Sequence, residues 1–226
     1  MIKIIIYIIF FSIANQFVLG EPLKFTNIEK TYLGKNQTLS SMINKGLNAV
    51  SNQEIMNLQN RCLGGKEISK NSHTIKLSKQ EQIFIKNHTS ITLGTDRTWE
   101  PWVIIDHDNK ISGYDTDILS RINELTGANF QLKAGVWLDM VKLAETGKID
   151  GLSTGAVHDE RKKYLNFSDT YLSLKKLILV SKLRKDEIQS EKDLAGKTII
   201  FHKGNLADEK IAKKYTNSKI IWHPSY

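Results

Sequence analysis

The sequence predicts an α/β fold built on a parallel sheet, and three observations carry the prediction. Short β-branched runs alternate with amphipathic stretches from Ser90 to the end of the chain, and Gly, Asn and Asp punctuate the junctions between them. Strands alternating with helices long enough to cross back imply right-handed βαβ units. At 226 residues with 40% hydrophobic content, the chain holds enough apolar surface for one globular domain with room for two lobes.

The first segment stands outside that pattern. Lys3 is followed by "IIIYIIFFSIA" and then "VLG" before Glu21 and Pro22, the positive, apolar and small-residue regions of a secretory signal peptide over residues 1–20. Asn15 and Gln16 interrupt the apolar run short of the roughly 20 residues a membrane span needs. No cysteine follows the leader to carry a lipid. The net charge of +8 falls to +7 when Lys3 leaves with the leader. The lysines are scattered without a stripe or an aromatic-interleaved patch, so no nucleic-acid partner is expected. A single cysteine, Cys62, excludes an internal disulfide framework. The sequons "NQT", "NHT" and "NFS" matter only in a eukaryotic secretory route.

Residues 21–41 are polar and unpatterned. The apolar positions Met42, Ile43, Leu47, Val50, Ile55, Met56 and Leu58 predict two short amphipathic helices, the second capped by Ser51 or Asn52. "GGKEISKNSH" is a linker, and "LSKQEQIFIKNH" a helix with Ile83, Phe84 and Leu77 on its apolar face. "SITLGTD" and "WVIID" are strand-like, and "DHDNKISG" has turn chemistry. "DTDILSRINELTG" is a helix with Ile118, Leu119, Ile122 and Leu125 on one face and Gly127 at its stop. Asp115 and Asp117 open it, where an aspartate accepts a backbone N–H and complements the positive helix end. "NFQLK" is a strand, "WLDMVKLAETGK" a helix and "IDGLS" a short buried strand. Then come the strand "KKLILVSK", the short helix "EKDLAG", the strand "KTIIFHK", the helix "NLADEKIAKKY" and the strand "SKIIWH".

Taken in order, "ITLGTDRTWEPWVIIDHDNKISGYDTDILSRINELTG" and "GKIDGLSTGAVHDERKKYLNFSDTYLS" resemble the family 3 extracellular solute-binding proteins, which include periplasmic amino-acid-binding proteins. The stretch "INKGLNAVSNQEIMNLQNRCLGG" before "LSKQEQIFIKNHTSITLGTD" is similar to the tandem sensor regions of unorthodox bacterial sensor histidine kinases. The resemblance covers residues 42–226. It implies a periplasmic-binding-protein type 2, or Venus-flytrap, fold with a parallel-sheet first lobe and an incomplete second lobe. The implied division is a signal peptide (1–20), a helical remnant resembling the end of a preceding flytrap domain (21–64), a linker and entry helix (65–89), a first lobe (90–174) and a partial second lobe (175–226). Family members return from the second lobe through another hinge strand, whereas this chain ends at Tyr226 inside "IIWHPSY". A shortened clamp, weakly stabilised or not at all by free amino acids, is the expectation.

Residue roles follow from the same resemblance. In the matching motif an arginine at the place of Arg161 grips the ligand's α-carboxylate, a task suited to its planar, permanently charged fork; ion pairing to Glu160 or Asp169 is the structural alternative. Thr154 and the Ala156 backbone belong to the same grip, with Ala156 standing where many members have Ser or Thr and His158 where Thr is common. His158 is expected to be an exposed turn residue, with a pH-sensitive contact in the grip as the alternative. Trp99 and Trp102, just past the first strand, are candidates to wall or stack on a ligand, with core packing as the alternative for each. "FHKGNLADEK" resembles the turn whose helix N-terminus meets the ligand's anionic end, placing Asn205 and Leu206 there; helix capping alone also accounts for Asn205.

The leading expectation is an amino-acid or small-carboxylate sensing domain of a truncated two-component sensor, partnered by a membrane kinase or a transporter. The alternatives are a free transport binding protein, a non-functional fragment, and a cyclohexadienyl-dehydratase-like enzyme, for which Glu100 is the carboxylate whose setting comes nearest to raising its pKa. HExxH, GxSxG, P-loop and CxxC patterns are absent from the sequence, so no catalytic residue, metal ligand or cofactor is assigned.

Overall fold

A computed structural model describes residues 3–5, 17–34, 36–62, 75–181 and 186–224. The expected linker at 64–73 lies outside the described residues, as do residues 1–2 and 6–16 of the expected leader. In chain order the strands are β1 (Lys3–Ile5), β2 (Phe17–Gly34), β3 (Ile91–Asp96), β4 (Ile104–Ile105), β5 (Ile111–Ser112), β6 (Phe130–Gly135), β7 (Gly151–Ala156), β8 (Leu165–Phe167), β9 (Leu172–Ser181), β10 (Thr198–His202) and β11 (Lys219–His223). The helices are α1 (Gln37–Ala49), α2 (Asn52–Cys62), α3 (Lys79–Asn87), α4 (Tyr114–Thr126), α5 (Trp137–Glu145) and α6 (Leu206–Ala212). The chain divides into two compact units, Glu29–Tyr171 and the segments on either side of it.

In the unit Glu29–Tyr171, β3 lies between β6 and β7 and runs parallel to both. The crossover from β3 to β6 through α4 and that from β6 back past β3 to β7 through α5 run in opposite directions. Right-handed connections therefore put α4 and α5 on opposite faces, and the order reverses between β3 and β7. The α5 face closes over Trp137, Met140, Ala144, Ile149, Leu152 and Leu165. Gly127 ends α4 in the left-handed region at φ 72°, and its N–H donates to Asn123 O, as the sequence predicts.

The residues before β3 belong to this same unit. α1 buries Leu39, Met42, Ile43 and Leu47 and packs on α4 so closely that a Cβ at Gly46 would meet Ile122 Cγ2 at 2.8 Å. α2 is capped by Ser51, one of the two cap residues the sequence offers: its hydroxyl accepts from Glu54 N–H at 3.2 Å while Glu54 Oε2 accepts from Ser51 N–H at 2.9 Å, a reciprocal capping box. Three expectations need correction. Residues 21–41 are not patternless coil: β2 runs through Gly34, with Glu29–Leu33 antiparallel to β7 and Tyr32–Gly34 antiparallel to β8. Ile83 does not face the core of α3 but is 58% exposed. The side chain that α3 buries is Glu81, which ties it to α1. "WVIID" also contributes only the two-residue strand β4, paired with β5 as a small hairpin.

In the other unit β10 runs parallel to β11 and to β1, and β1 is antiparallel to β9. Its core holds Ile178, Val180, Ile188, Leu194, Ile199, Phe201, Ile211 and Tyr215. The expected helix in "EKDLAG" is a 3₁₀ turn over Glu191–Leu194, opened by a capping box between Ser190 and Asp193. No helix among the described residues is long and apolar enough to cross a membrane.

Candidate functional site

In an open α/β sheet, ligands sit outside the carboxyl ends of the strands where the order reverses. Here that place is where the chain leaves β3 and β7, inside the unit Glu29–Tyr171. Beyond β3, Asp96 Oδ1 accepts from Thr98 N–H and from the Thr98 hydroxyl, each at 3.0 Å, which turns the chain sharply. Trp99 follows, half-buried. Trp102 sits in the core at 5% exposure, edge-on to Tyr114 with ring centroids 5.2 Å apart, and its carbonyl accepts from Asp115 N–H. The structural alternative weighed for Trp102 describes its position.

Beyond β7 the chain forms a 3₁₀ turn over Arg161–Lys163. Arg161 is 4% exposed, and its guanidinium carbon lies 5.2 Å from the ring centroid of Trp137, the first residue of α5. Trp137 is not recognisable as a site residue from the sequence, where its one signal is an aromatic immediately after a strand. Burial pushes the Tyr164 phenol pKa up, opposed by the charge of Arg161 and a hydrogen bond from it, so the two side chains are neighbours. Asp169, one proposed structural partner of Arg161, accepts instead from Asn48 Nδ2 at 3.3 Å, and its N–H donates to Asn44 Oδ1. His158 corrects the expectation of an exposed turn residue: it is 6% exposed.

Thr154 and Ser153 meet a carboxylate that was expected to do something else. Asp115 does not cap α4. The cap position is Gly113, with no side-chain bond, and the Asp115 carboxylate points inward, where Ser153 Oγ donates to Oδ2 at 2.8 Å and the Thr154 hydroxyl donates to the same oxygen. Thr154 Oγ1 also pairs with the Tyr171 hydroxyl at 2.7 Å. Thr154 holds φ at 38°, a sparsely populated setting for a β-branched residue. Burial pushes the Asp115 pKa up to about 6 against the pull of Thr154 and Ser153. The carboxyl kept nearest neutrality is therefore Asp115, and Glu100, which the sequence favoured for that role, is exposed. Ala156 stands opposite Glu29 in the ladder.

Asn205 and Leu206 lie in the other unit, at the carboxyl end of β10. Asn205 Oδ1 accepts from Ala207 N–H at 3.0 Å and Asp208 N–H at 3.3 Å, so those two donors of α6 are engaged by the cap. Asp208 Oδ2 accepts from His202 N–H and fixes the turn between β10 and α6. A cavity of about 330 Å³ in this unit is bordered by Glu191, Lys214, Tyr215 and Asn217. It sits at the amino ends of β10 and β11, the wrong end for a crevice of this kind. Among the described residues no cluster of three or more His, Cys, Asp or Glu is placed to hold a metal.

Comparison with known proteins agrees with this architecture. The chain is 29% identical over 115 residues to the L-cystine-binding protein TcyA of Bacillus subtilis, covering 50% of this chain and 42% of that protein. It is 21% identical over 188 residues to the virulence sensor protein BvgS of Bordetella pertussis, covering 82% of this chain and 15% of that one. The crystal structure of the ancestral amino acid-binding protein AncCDT-1, a precursor of cyclohexadienyl dehydratase, superposes with a TM-score of 0.57 at 25% identity, covering 63% of this chain and 65% of that one. The chain thus spans about half the length or less of these curated relatives. The fold is that of periplasmic binding proteins of type 2. Residues 91–218, more than half of the sequence, match the family profile, and the chain belongs to the bacterial extracellular solute-binding proteins, family 3.

Proposed function

We propose that the chain binds a free amino acid or a similar small carboxylate through Arg161, as the ligand-sensing part of a longer exported receptor. The observation that carries this is the guanidinium fixed on the Trp137 ring where β6 and β7 end. Held against an aromatic face and buried, it gives up little conformational freedom when it grips a carboxylate. The Thr154 hydroxyl is engaged by Asp115 and Tyr171, so it braces the end of β7, and Trp99 offers a half-buried apolar surface beyond β3. Relatives and structural neighbours named for binding cystine and amino acids support the ligand class.

Support for sensing over transport comes from the extent of the match to the Bordetella sensor. At 82% of the chain it is longer than everything from Ile91 onward, so it takes in α1–α3 and not the β3–β11 region alone. Export rests on the leader-like residues 1–20, and a membrane kinase is the partner this reading implies.

A thermal-shift screen of the chain against the L-amino acids, cystine and small organic acids tests the ligand class. Contrary to the sequence expectation of weak or no stabilisation, the buried Arg161 on Trp137 leads us to expect that at least one L-amino acid raises the melting temperature saturably, and Arg161→Met should weaken that ligand at least tenfold by calorimetry. A hundredfold excess over Kd corresponds to about 2.7 kcal/mol of stabilisation. A panel in which nothing binds, or a ligand indifferent to Arg161→Met, overturns the proposal.

A further inference from the structure

Asp115 is a carboxyl group enclosed at 1% exposure, with no charged partner among the described residues. Its Oδ2 takes both hydroxyls, from Ser153 and Thr154, while Oδ1 is buried without a hydrogen-bond partner among the described residues. A pure packing role would not place a carboxylate there, because an ionised carboxylate left half-satisfied in the interior is costly. The arrangement is a polarised chain. Thr154 has one hydroxyl proton and gives it to Asp115, so its oxygen accepts from the Tyr171 hydroxyl.

We propose that Asp115 is a positioning residue whose protonation sets the direction of the Tyr171–Thr154–Asp115 hydrogen-bond chain at the carboxyl end of β7, making this part of the ligand site proton-linked. The proposal rests on the reading of this region as the ligand site. When Asp115 is ionised the chain runs from Tyr171 through Thr154 to the carboxylate. When a solvent proton adds to Oδ2, the oxygen that faces Thr154, Asp115 becomes a donor to Thr154 while Ser153 keeps donating to the remaining Oδ2 lone pair; Thr154 then donates to Tyr171, and the Tyr171 proton turns away from Thr154. Thr154, at φ 38°, and Tyr171, stacked on Tyr114 at 6.3 Å, are held in place throughout, so only the hydroxyl protons reorient.

The surroundings leave Asp115 to titrate by itself. Its pKa is raised by burial and lowered only by the two hydroxyls, with no charged group contributing. On α4, Arg121 is bonded to Glu54 of α2 and to Glu124. On α1, Lys45 is bonded to Glu81. Lys133 on β6 is exposed. The other titratable groups on or next to the packed elements include buried Asp96 at the end of β3, Asp117 on α4, buried His158 beyond β7, the Tyr114 and Tyr171 phenols, and Glu29, Lys30 and Tyr32 in the β2 ladder with β7.

The test is carbon-detected and methyl NMR of the whole chain between pH 4.5 and 8, following the Thr154 methyl and the Tyr171 Cζ resonances, with Thr154→Val for assignment. Both should move with one midpoint near pH 6 and become flat in Asp115→Asn. Resonances flat in the wild type, or a titration that persists in Asp115→Asn, overturn the inference, and the wild-type curve decides even if the variant fails to fold. L-arginine titrated at pH 5 and 7.5 adds the functional arm, with at least a threefold change in Kd expected. If no amino acid of the thermal-shift panel binds, the ligand-site reading fails while the resonances still decide the proton-driven reversal.

Discussion

Gly113→Ala is expected to destabilise the chain by about 3 kcal/mol or more, the combined cost of a strained backbone and a steric overlap. Gly113 has φ 109° and ψ −176°, a region that only glycine occupies readily. A Cβ there would lie 2.6 Å from the Trp102 carbonyl oxygen and 2.8 Å from that of Pro101. Both atoms are backbone and cannot swing aside. The Trp102 carbonyl also accepts from Asp115 N–H at 3.0 Å, so the displacement would loosen the start of α4 and with it the buried carboxylate. Gly127→Ala is the matched comparison. It too has a positive φ of 72°, but nothing lies within 4 Å of its added Cβ, so only the left-handed penalty of about 1–2 kcal/mol applies. Urea denaturation of the two variants should separate them clearly, and equal losses would show that the contact with Trp102 is not tight.

Glu81→Ala is the second large loss, about 2–3 kcal/mol at neutral pH. Glu81 is buried at 2% exposure between α3 and α1. Burial raises its pKa, but Lys45 at 2.6 Å, the Ser41 hydroxyl at 2.7 Å and the backbone and hydroxyl of Ser78 outweigh burial and hold it at about 2. A carboxyl whose folded pKa lies below its ordinary value stabilises the fold above that ordinary value, and the contribution is lost as pH falls from 4.5 towards 2. Asp115 has the opposite sign. Its raised pKa favours the fold at low pH, and that contribution is lost as pH rises through 6. The acid-side fall of the stability curve should therefore become shallower in Glu81→Ala, and the Asp115 contribution to a decline between about pH 4 and 6 should disappear in Asp115→Asn.

What the sequence disclosed and what it hid have the same physical basis. α4 was legible because Ile118, Leu119 and Ile122 repeat at helical spacing and Gly127 supplies a left-handed stop. The β3 strand was legible as a short β-branched run, and β6 and β7 as short apolar stretches between turn residues and helices. β2 was not, because Glu29–Gly34 has no apolar alternation strong enough to announce a strand and takes that state from its ladders with β7 and β8. Ile83 misled for the reverse reason: an isoleucine on an amphipathic helix is expected inside, but α3 docks through the polar contacts of Glu81. At the candidate site, Arg161 came from a motif. Trp137 beneath it and the inward turn of Asp115 depend on which strand ends the crossovers bring together, which no local pattern encodes.

The most direct test of the account is an NMR titration of the chain that follows the Trp137 indole and Arg161 Nε–H resonances. L-arginine and L-histidine would be compared with agmatine and histamine, the same amines without the carboxylate. The account predicts that at least one of the amino acids shifts both resonances saturably, that its decarboxylated counterpart does not, and that Arg161→Met abolishes the Trp137 response. Equal shifts from amine and amino acid, or no response at millimolar concentration to these two amino acids or to any other ligand of the thermal-shift panel, would contradict it.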